Sequence, residues 1–473
     1  MPLKLYNTLT RQKEEFKPLH DKEVKWYTCG PTIYDYSHLG HAKGYVSMDV
    51  IRRFLEWSGY KVTYVQNFTD VGHLTDDNNE AGEDKIEKRA REKHIDPMVL
   101  VTEYIKAYYI DFHNLNVKDA DVAPRPTQEI KEIIAFVQGL IDKEYAYESR
   151  GSVYFDVSKF KGYGKLSGQK IDELKTGARV EVREEKRSPL DFALWIKADP
   201  EHILKYESPW SVGYPGWHIE CSVMAKKYLG DTIDIHAGGN ENIFPHNESE
   251  IAQSEALIGK PFSRYWLHWN MVKIDGVKMS KSKNNFTTIQ ELLKNHNPFA
   301  VRLAIIKSHY RSPIEFNEKV FEDSKKNLQE ITNFIISLKK IKSDNKNDID
   351  TNRWMKQLRE QFKEAMNDDF NTPLAISNIF GWINTINKEI GNLNKSQSTE
   401  ILNAFYDIDQ VLGLNLDRVV EEAIPENVQK LAESREKSRK EKDWAESDRL
   451  RDEIAKLGYV AEDTSEGPVI KQL

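Results

Sequence analysis

Two short segments, His38-Leu39-Gly40-His41 and Lys278-Met279-Ser280-Lys281-Ser282, carry residue types and spacings that could do chemistry. Two imidazoles three residues apart can face one anion, and Gly40 between them removes a side chain where a nucleotide must come close. Ahead of them residues 24–28 (Val-Lys-Trp-Tyr-Thr) have strand-like composition, followed by Cys29-Gly30-Pro31-Thr32; behind them a helical pattern runs over 43–58 and ends at Gly59. The histidines therefore sit at a strand-to-helix turn, where backbone N–H groups and the positive end of a helix dipole attract phosphate. In the second segment lysines flank hydroxyl residues within a charged stretch, 273–285, poor in apolar anchors, which is expected to be a mobile loop. A lysine there can swing toward charge developing on a transferring phosphate. Alone, the first segment is equally a helix start with two polar histidines and the second a solvated turn. Together, in this order and behind a strand, they point to nucleoside triphosphate activation through an adenylate.

The elements needed to position them follow from pattern. Strands and helices alternate up to about residue 120: strands near 24–29 and 61–68, helices near 43–58, 84–93 and 97–114. That alternation favours a doubly wound parallel sheet with its ligand site at the carboxyl ends of the strands. Residues 121–200 break the rhythm with Pro124, Pro126, a helix over 127–144 and a strand-rich run near 151–155, and are read as an insertion. Sheet pattern returns at 231–236 and 265–274. Beyond it Val320, Phe321, Leu328, Ile331, Ile335 and Leu338 form one helical stripe. Trp354, Leu358, Phe362 and Met366 form a second, and Ile379, Phe380, Ile383, Ile386 and Ile390 a third. These are read as the core of a bundle, with 339–353 a loop. A terminal unit from about 425 carries one long charged helix and a strand at 458–461. The expected divisions are 1–120 and 201–265 for the two halves of the sheet fold, 121–200 for the insertion, 266–315 around the lysine loop, 316–424 for the bundle and 425–473 for the last unit.

Composition excludes several classes. The 473 residues exceed one core and should divide into about three to five units. Hydrophobic content of 39% beside 30% charged residues is that of an ordinary globular protein. No apolar run approaches the ~20 residues needed to span a bilayer, and Met1-Pro2-Leu3-Lys4 opens no signal peptide. Two cysteines, Cys29 and Cys221, argue against a disulfide framework and suit a reducing compartment, so a cytoplasmic location without a membrane partner is expected. A net charge of −7 does not favour nucleic acid, but local basic tracks near 186–187, 278–283 and 435–451 suffice for a folded RNA recognised by shape.

The two segments resemble the HIGH and KMSKS signatures of class I aminoacyl-tRNA synthetases, with Leu39 in place of isoleucine. Cys29-Gly30-Pro31-Thr32, Gly216-Trp217-His218-Ile219-Glu220-Cys221-Ser222, Phe244-Pro245-His246 and Glu250-Ile251-Ala252-Gln253-Ser254 are similar to the cysteinyl branch of that family. The similarity runs from Leu5 to Ala445, essentially the whole chain. It implies a Rossmann-like doubly wound α/β catalytic domain with a connective insertion, then an α-helical bundle and a small mixed anticodon-binding domain. It implies ATP, L-cysteine and tRNA(Cys) as partners, Mg2+ with the ATP, and a monomer. His38, His41, Lys278 and Lys281 would be catalytic; Gly40, His236, Gly238 and Gly239 would meet ATP beside His38, His41 and Lys281; Thr69 and Trp217, with Asp70, would meet the amino acid; Arg439, Trp444, Asp448 and Asp463 would read the anticodon.

The resemblance also implies one zinc ion per chain on Cys29, Cys221, His246 and Glu250. Their types suit zinc, and His246 and Glu250 at i and i+4 share a face if that segment is helical. The spacing has no CxxC element, and composition alone reads the cysteines as buried structural residues. Zinc would distinguish a thiol from a hydroxyl where fit alone gives only about 1–3 kcal/mol. Three positions depart from the family pattern: Asn247 replaces a common second histidine, Asn240-Glu241 replaces a hydroxyl-type residue and aspartate, and the tail ends Gly467-Pro468-Val469-Ile470 without the usual tryptophan and arginines. Competing readings are a ligase that passes cysteine to an amino sugar, a catalytically silent RNA-binding relative and a short nucleotidyltransferase. The helical and terminal units oppose the first, the intact motifs the second and the chain length the third.

Overall fold

The structure is a computed structural model that describes residues 1–76, 81–170, 185–274, 276–278, 287–344, 347–420, 425–464 and 467–472. Its central sheet has four parallel strands in the spatial order Ser263–Trp269, Ile233–Gly239, Glu23–Thr28 and Lys61–Gln66. Glu23–Thr28 and Lys61–Gln66 share one burial pattern, exposed at the first residue and buried over the last three, whereas Ile233–Gly239 is buried throughout. Burial on both faces would favour apolar residues throughout, yet Thr28, Gln66, Asp234, His236 and His268 are polar and buried in these strands. The chain leaves Glu23–Thr28 toward Lys61–Gln66 on one side and adds Ile233–Gly239 on the other. The gap between those departures is the topological switch point, where open α/β sheets bind ligands.

Helix α1 (Leu39–Trp57) connects the first two strands and starts four residues before the pattern at 43 suggested. Its N-cap is His38, an uncommon capping residue, which hides the boundary in the sequence. Two further helices, α2 (Lys85–Lys93) and α3 (Pro97–Asn114), follow as expected, capped by Asp84 and Asp96. The insertion is a four-stranded antiparallel sheet, Ala146–Ser149, Ser152–Phe155, Phe192–Lys197 and Gly213–Pro215, whose last strand comes from beyond residue 200. It packs with the helix Ile130–Asp142 over Ile219, Val223, Ala252 and Ala256.

Part of the expected loop at 273–285 is a hairpin, Val272–Ile274 with Val277–Lys278, held beside Ile314–Phe316. Met279 to Phe286, including Lys281, lie outside the described residues. The chain then returns to the histidine turn. Leu39 N donates to Thr287 O at 3.2 Å and Ile289 N to Ser37 O at 2.9 Å, so the lysine segment re-enters the fold against His38.

The bundle helices are Glu318–Lys340, Thr351–Asn367, Thr372–Asn387 and Lys395–Leu412. Their expected stripes lie in the core, except that Ile390 falls in a short turn past the third helix. The charged terminal helix is in fact two, Glu426–Lys440 and Trp444–Lys456, broken at Lys442 with φ +62°. Charge periodicity does not stop at a left-handed residue, so the sequence pattern ran through the turn. A hairpin, Tyr459–Thr464 with Gly467–Gln472, closes the unit over Val428, Ala432, Ile454 and Ala461.

Arg302 fastens the catalytic domain to the bundle. It is fully buried, pairs with Asp49 of α1 at 2.5 Å, and donates to the carbonyls of Leu412, Leu115 and Asn116 at 2.6, 2.9 and 3.1 Å. Arg302→Ala strands three carbonyls and weakens the Asp49 pairing, so a loss of about 3–5 kcal/mol in unfolding free energy is expected. Urea denaturation followed by circular dichroism measures it.

Candidate active site and metal centre

Four residues from distant parts of the chain meet at the switch point. Cys29 follows the end of Glu23–Thr28, Cys221 lies in the first turns of Ile219–Leu229, His246 precedes the helix Glu248–Ile258 and Glu250 is inside it. One ligand atom from each, two Sγ, one imidazole nitrogen and one carboxylate oxygen, lies within 4.8 Å of all the others, and all four residues are buried. Two thiols, an imidazole and a carboxylate at that separation can hold a divalent metal, and the set matches the ligands zinc takes.

The electrostatics reflect the crowding. The neighbouring Cys29 thiol holds Cys221 down to about 6 against burial, while Cys29 itself is pushed up by that contact and by burial. Burial alone would lower His246, but the Glu250 carboxylate, with which its Nε2 pairs at 3.1 Å, carries it up to about 10. Burial would likewise raise Glu250, yet His236 and His246 hold it below the ordinary carboxylate range.

A layer of side chains fixes this cluster through contacts that sequence reasoning missed. His236 Nε2 contacts Glu250 Oε2 at 2.8 Å, and its fully buried ring stacks on Trp266 at 4.3 Å. Its imidazole holds Glu250, and its expected contact with ATP would have to be made from this position. Asn247 donates to Glu250 Oε1 at 2.8 Å and to Cys29 Sγ at 3.6 Å, and accepts from His268 Nε2 at 3.0 Å. His268 in turn meets Thr8 Oγ1 at 2.8 Å. His218 Nδ1 lies 3.0 Å from His246 Nδ1. One signal was available: Glu248, Ser249, Glu250, Gln253 and Ser254 crowd the first two turns of one helix with polar residues, and all five are buried. Buried polar side chains need partners, so such a run marks an internal network. Asn247→Ala removes the amide shared by both ligands, and zinc affinity is expected to fall about 10- to 100-fold, read by competition with a chromogenic chelator.

Trp217 stacks on His73 at 4.4 Å and leans on the His246 ring at 4.7 Å, forming a half-buried wall over the cluster. Thr69 is close but engaged, accepting from Asn67 at 3.0 Å and donating to Glu220 Oε2 at 3.1 Å. Asp70 is engaged as well. Its carboxylate accepts from Thr127 N at 3.1 Å and Thr127 Oγ1 at 2.6 Å, because the strand end turns it toward the insertion. Gly30 lies so near the next strand that a Cβ there would stand 1.5 Å from Asn67 O. Asn67 Oδ1 also accepts from Gly30 N at 2.8 Å, which sets the path of the chain beside Cys29.

His38 and His41 lie at the start of α1, their rings stacked at 3.7 Å. His38 Nδ1 accepts from Gly40 N at 3.0 Å and His41 N at 3.3 Å, and His41 Nδ1 accepts from His38 N at 3.4 Å. A neutral imidazole that accepts at Nδ1 carries its proton on Nε2, the nitrogen able to donate to a phosphate. Across the switch point Gly238 and Gly239 end the strand Ile233–Gly239; a Cβ on Gly239 would stand 2.4 Å from Glu241 Oε1, so the carboxylate at that departing position folds over the glycine turn. Far away, Arg439 Cζ lies 5.6 Å from the Trp444 ring, which is 57% exposed, and Asp448 pairs with Arg451 at 3.0 Å. Asp463 lies on the strand Tyr459–Thr464.

Comparison with known proteins agrees with this geometry. The model of the class I (C) tRNA synthetase catalytic domain matches residues 15–326, the DALR domain 361–417 and the cysteinyl-tRNA ligase anticodon binding domain 421–467. A cysteine–tRNA ligase of Chlorobium chlorochromatii is 47% identical, covering 99% of both chains, and one of Thermococcus gammatolerans is 46% identical over 100% of both. The chain belongs to the cysteinyl-tRNA synthetase family. Class I architecture is shared more widely: methionyl-tRNA synthetase of Mycobacterium tuberculosis superposes with a TM-score of 0.59 at 14% identity, covering 87% of this chain and 94% of that one. As in other class I synthetases, a parallel-sheet catalytic domain leads into a helical bundle, here matched by the DALR model from residue 361 onward. Among the described residues of this cysteinyl-tRNA synthetase family member, no helix is long and apolar enough to cross a membrane.

Proposed function

We propose that the chain ligates L-cysteine to tRNA(Cys) in two steps. The cysteine carboxylate oxygen bonds to the α-phosphorus of ATP and pyrophosphate leaves; a hydroxyl of the terminal tRNA ribose then attacks the cysteinyl carbonyl and AMP leaves. The observation that carries this reading is the buried Cys29, Cys221, His246 and Glu250 set, placed at the sheet's switch point beside the His38 and His41 turn. Those four residues would hold one zinc ion per chain. Zinc, when bound, supplies a coordination position that takes a thiolate and has little affinity for a serine hydroxyl.

The side chains divide the remaining work. Trp217 limits the space beside the thiol, and Thr69 fixes the polar end of the amino acid from its Glu220 anchor. His38 and His41 donate from Nε2 to the triphosphate, Gly40, Gly238 and Gly239 let the backbone approach the nucleotide, and Mg2+ enters with ATP. Lys278 and Lys281 stabilise charge that grows on the α-phosphate and the departing pyrophosphate. Arg439, Trp444, Asp448 and Asp463 form the anticodon reader, with Trp444 as a stacking surface. One chain supplies the whole ligand set, which supports a monomer, and the two cysteines without a disulfide suit a cytoplasmic site of action.

Cysteine-dependent exchange of pyrophosphate into ATP, run beside serine and methionine and followed by charging of purified tRNAs, tests the proposal. Exchange with cysteine alone and charging of tRNA(Cys) is expected. Exchange without charging would move the assignment to a ligase with a small acceptor, and absence of both would leave a silent RNA-binding relative.

A further inference from the structure

Two residues ahead of His38, Tyr36 is a large aromatic side chain left 39% exposed. It is held in place. Tyr104 of α3, only 3% exposed, meets its ring edge-on with centroids 5.0 Å apart at 90°. Lys93, the last residue of α2, places Nζ 5.8 Å from the Tyr36 centroid and 4.8 Å from that of Tyr104. Arg89, one turn earlier, reaches Asp35 at 3.6 Å and so ties the residue beside Tyr36 to the same helix.

Helix α2 reads Lys-Ile-Glu-Lys-Arg-Ala-Arg-Glu-Lys, strongly basic in a chain of net charge −7. One of its acids, Glu87, is turned inward, accepting from Ile203 N at 2.9 Å and Leu204 N at 2.7 Å. On its outward face Lys88 and Lys93 are exposed, while Arg91 pairs with Glu83 at 2.7 Å and Arg89 with Glu92 at 3.1 Å. This patch lies where Ser37 and Leu39 run beside Thr287 and Ile289, at the margin of the histidine turn.

We propose that Tyr36, braced by Tyr104 and flanked by Lys93, is a stacking platform for the unpaired 3′ end of the acceptor tRNA, with the basic face of α2 following its phosphates. The proposal rests on the reading of tRNA as acceptor. An unpaired strand is held by rings that stack on bases and by cations that track the backbone, and both are present here within one helix turn of each other. A ring held by a buried perpendicular neighbour yet 39% exposed can stack on a base with little rotamer freedom left to lose. The charge complementarity favours a nucleic acid strand over an apolar peptide.

The test separates the two steps of the reaction. Wild type, Tyr36→Leu, Tyr36→Phe and Lys93→Gln are compared in tRNA-free pyrophosphate exchange and in single-turnover transfer from preformed cysteinyl-adenylate to subsaturating tRNA. Tyr36→Leu is expected to slow transfer roughly 5- to 100-fold, the size of one lost base–aromatic stack, with its loss confined to transfer. Tyr36→Phe restores the rate because it keeps the ring. Lys93→Gln lowers the slope of log affinity against log salt by about 0.7, the value for one phosphate contact on a single strand. Equal transfer by Tyr36→Leu and wild type overturns the platform, as does an equal fall in exchange, a failure of phenylalanine to rescue, or an unchanged salt slope. A wild-type protein that exchanges but charges no tRNA overturns the acceptor reading instead, and the platform with it.

Discussion

A Cys221→Ser protein is expected to lose the proposed zinc on dialysis against a mild chelator and to fall at least about a hundredfold in cysteine-dependent pyrophosphate exchange. Serine nearly matches cysteine in volume, so packing around this 2% exposed position barely changes. The hydroxyl, however, does not ionise near neutral pH and is a poor zinc ligand. Apparent binding of about 10–16 kcal/mol for a four-ligand structural zinc, shared among its ligands, assigns about 3 kcal/mol to each, or about a hundredfold in affinity. Cys29, His246 and Glu250 remain clustered, so excess zinc should restore part of the exchange. Metal content by elemental analysis and exchange rate at fixed free zinc are the two readouts. Full zinc occupancy with undiminished exchange would remove Cys221 from the ligand set and would leave the thiol preference without its cause.

The parts of this site that were legible in the sequence are those set by local pattern. A strand, a glycine-bearing turn and an amphipathic helix place His38 and His41 without knowledge of distant contacts. Only the start of the helix escaped, because an imidazole does what serine or aspartate usually does at that position. The metal set is different in kind. Cys29 and Cys221 meet only because two crossovers bring the end of Glu23–Thr28 and the helix Ile219–Leu229 to one crevice, and no spacing encodes that. They were found through resemblance.

The supporting layer was hidden for a further reason. His268 pairs in register with Gly238, and His236 lies two residues away on that same neighbouring strand. In sequence nothing links these histidines to Asn247 and Glu250; in the sheet they stand within reach of them. Asp70 has a partner that its sequence position does not reveal. It follows a strand at the carboxyl edge, the usual place for a binding residue, but Thr127 from the insertion claims its carboxylate. Long-range pairing decides both cases, and a single sequence does not record it. Asn247 belongs here too: at a position where histidine is common, its amide still bridges Cys29, Glu250 and His268, so the network is kept with a shorter side chain.

His38→Asn is expected to keep the fold of α1 and to slow adenylate formation about a hundred- to a thousandfold, the usual effect of losing one donor to developing charge. The choice of asparagine matters because His38 has two duties. Its Nδ1 caps Gly40 and His41, and its Nε2 is the nitrogen assigned to the triphosphate. Asparagine is among the best N-cap residues, and its carbonyl can take over the Nδ1 bonds, but its amide is too short to reach where Nε2 stands. His38→Ala removes both duties, so it should lose the same activity and a further 0.5–2 kcal/mol or so of stability. His41→Ala removes the other imidazole and the reciprocal bond to His38 N, and should resemble the alanine variant in exchange. Exchange rates with the KM for cysteine, and thermal melting of each variant, separate the duties: the asparagine protein should melt as wild type does, bind cysteine as wild type does, and turn over slowly. An asparagine variant that exchanges at the wild-type rate would reduce the first histidine of the turn to a helix cap and transfer its assigned role to His41 and the lysines.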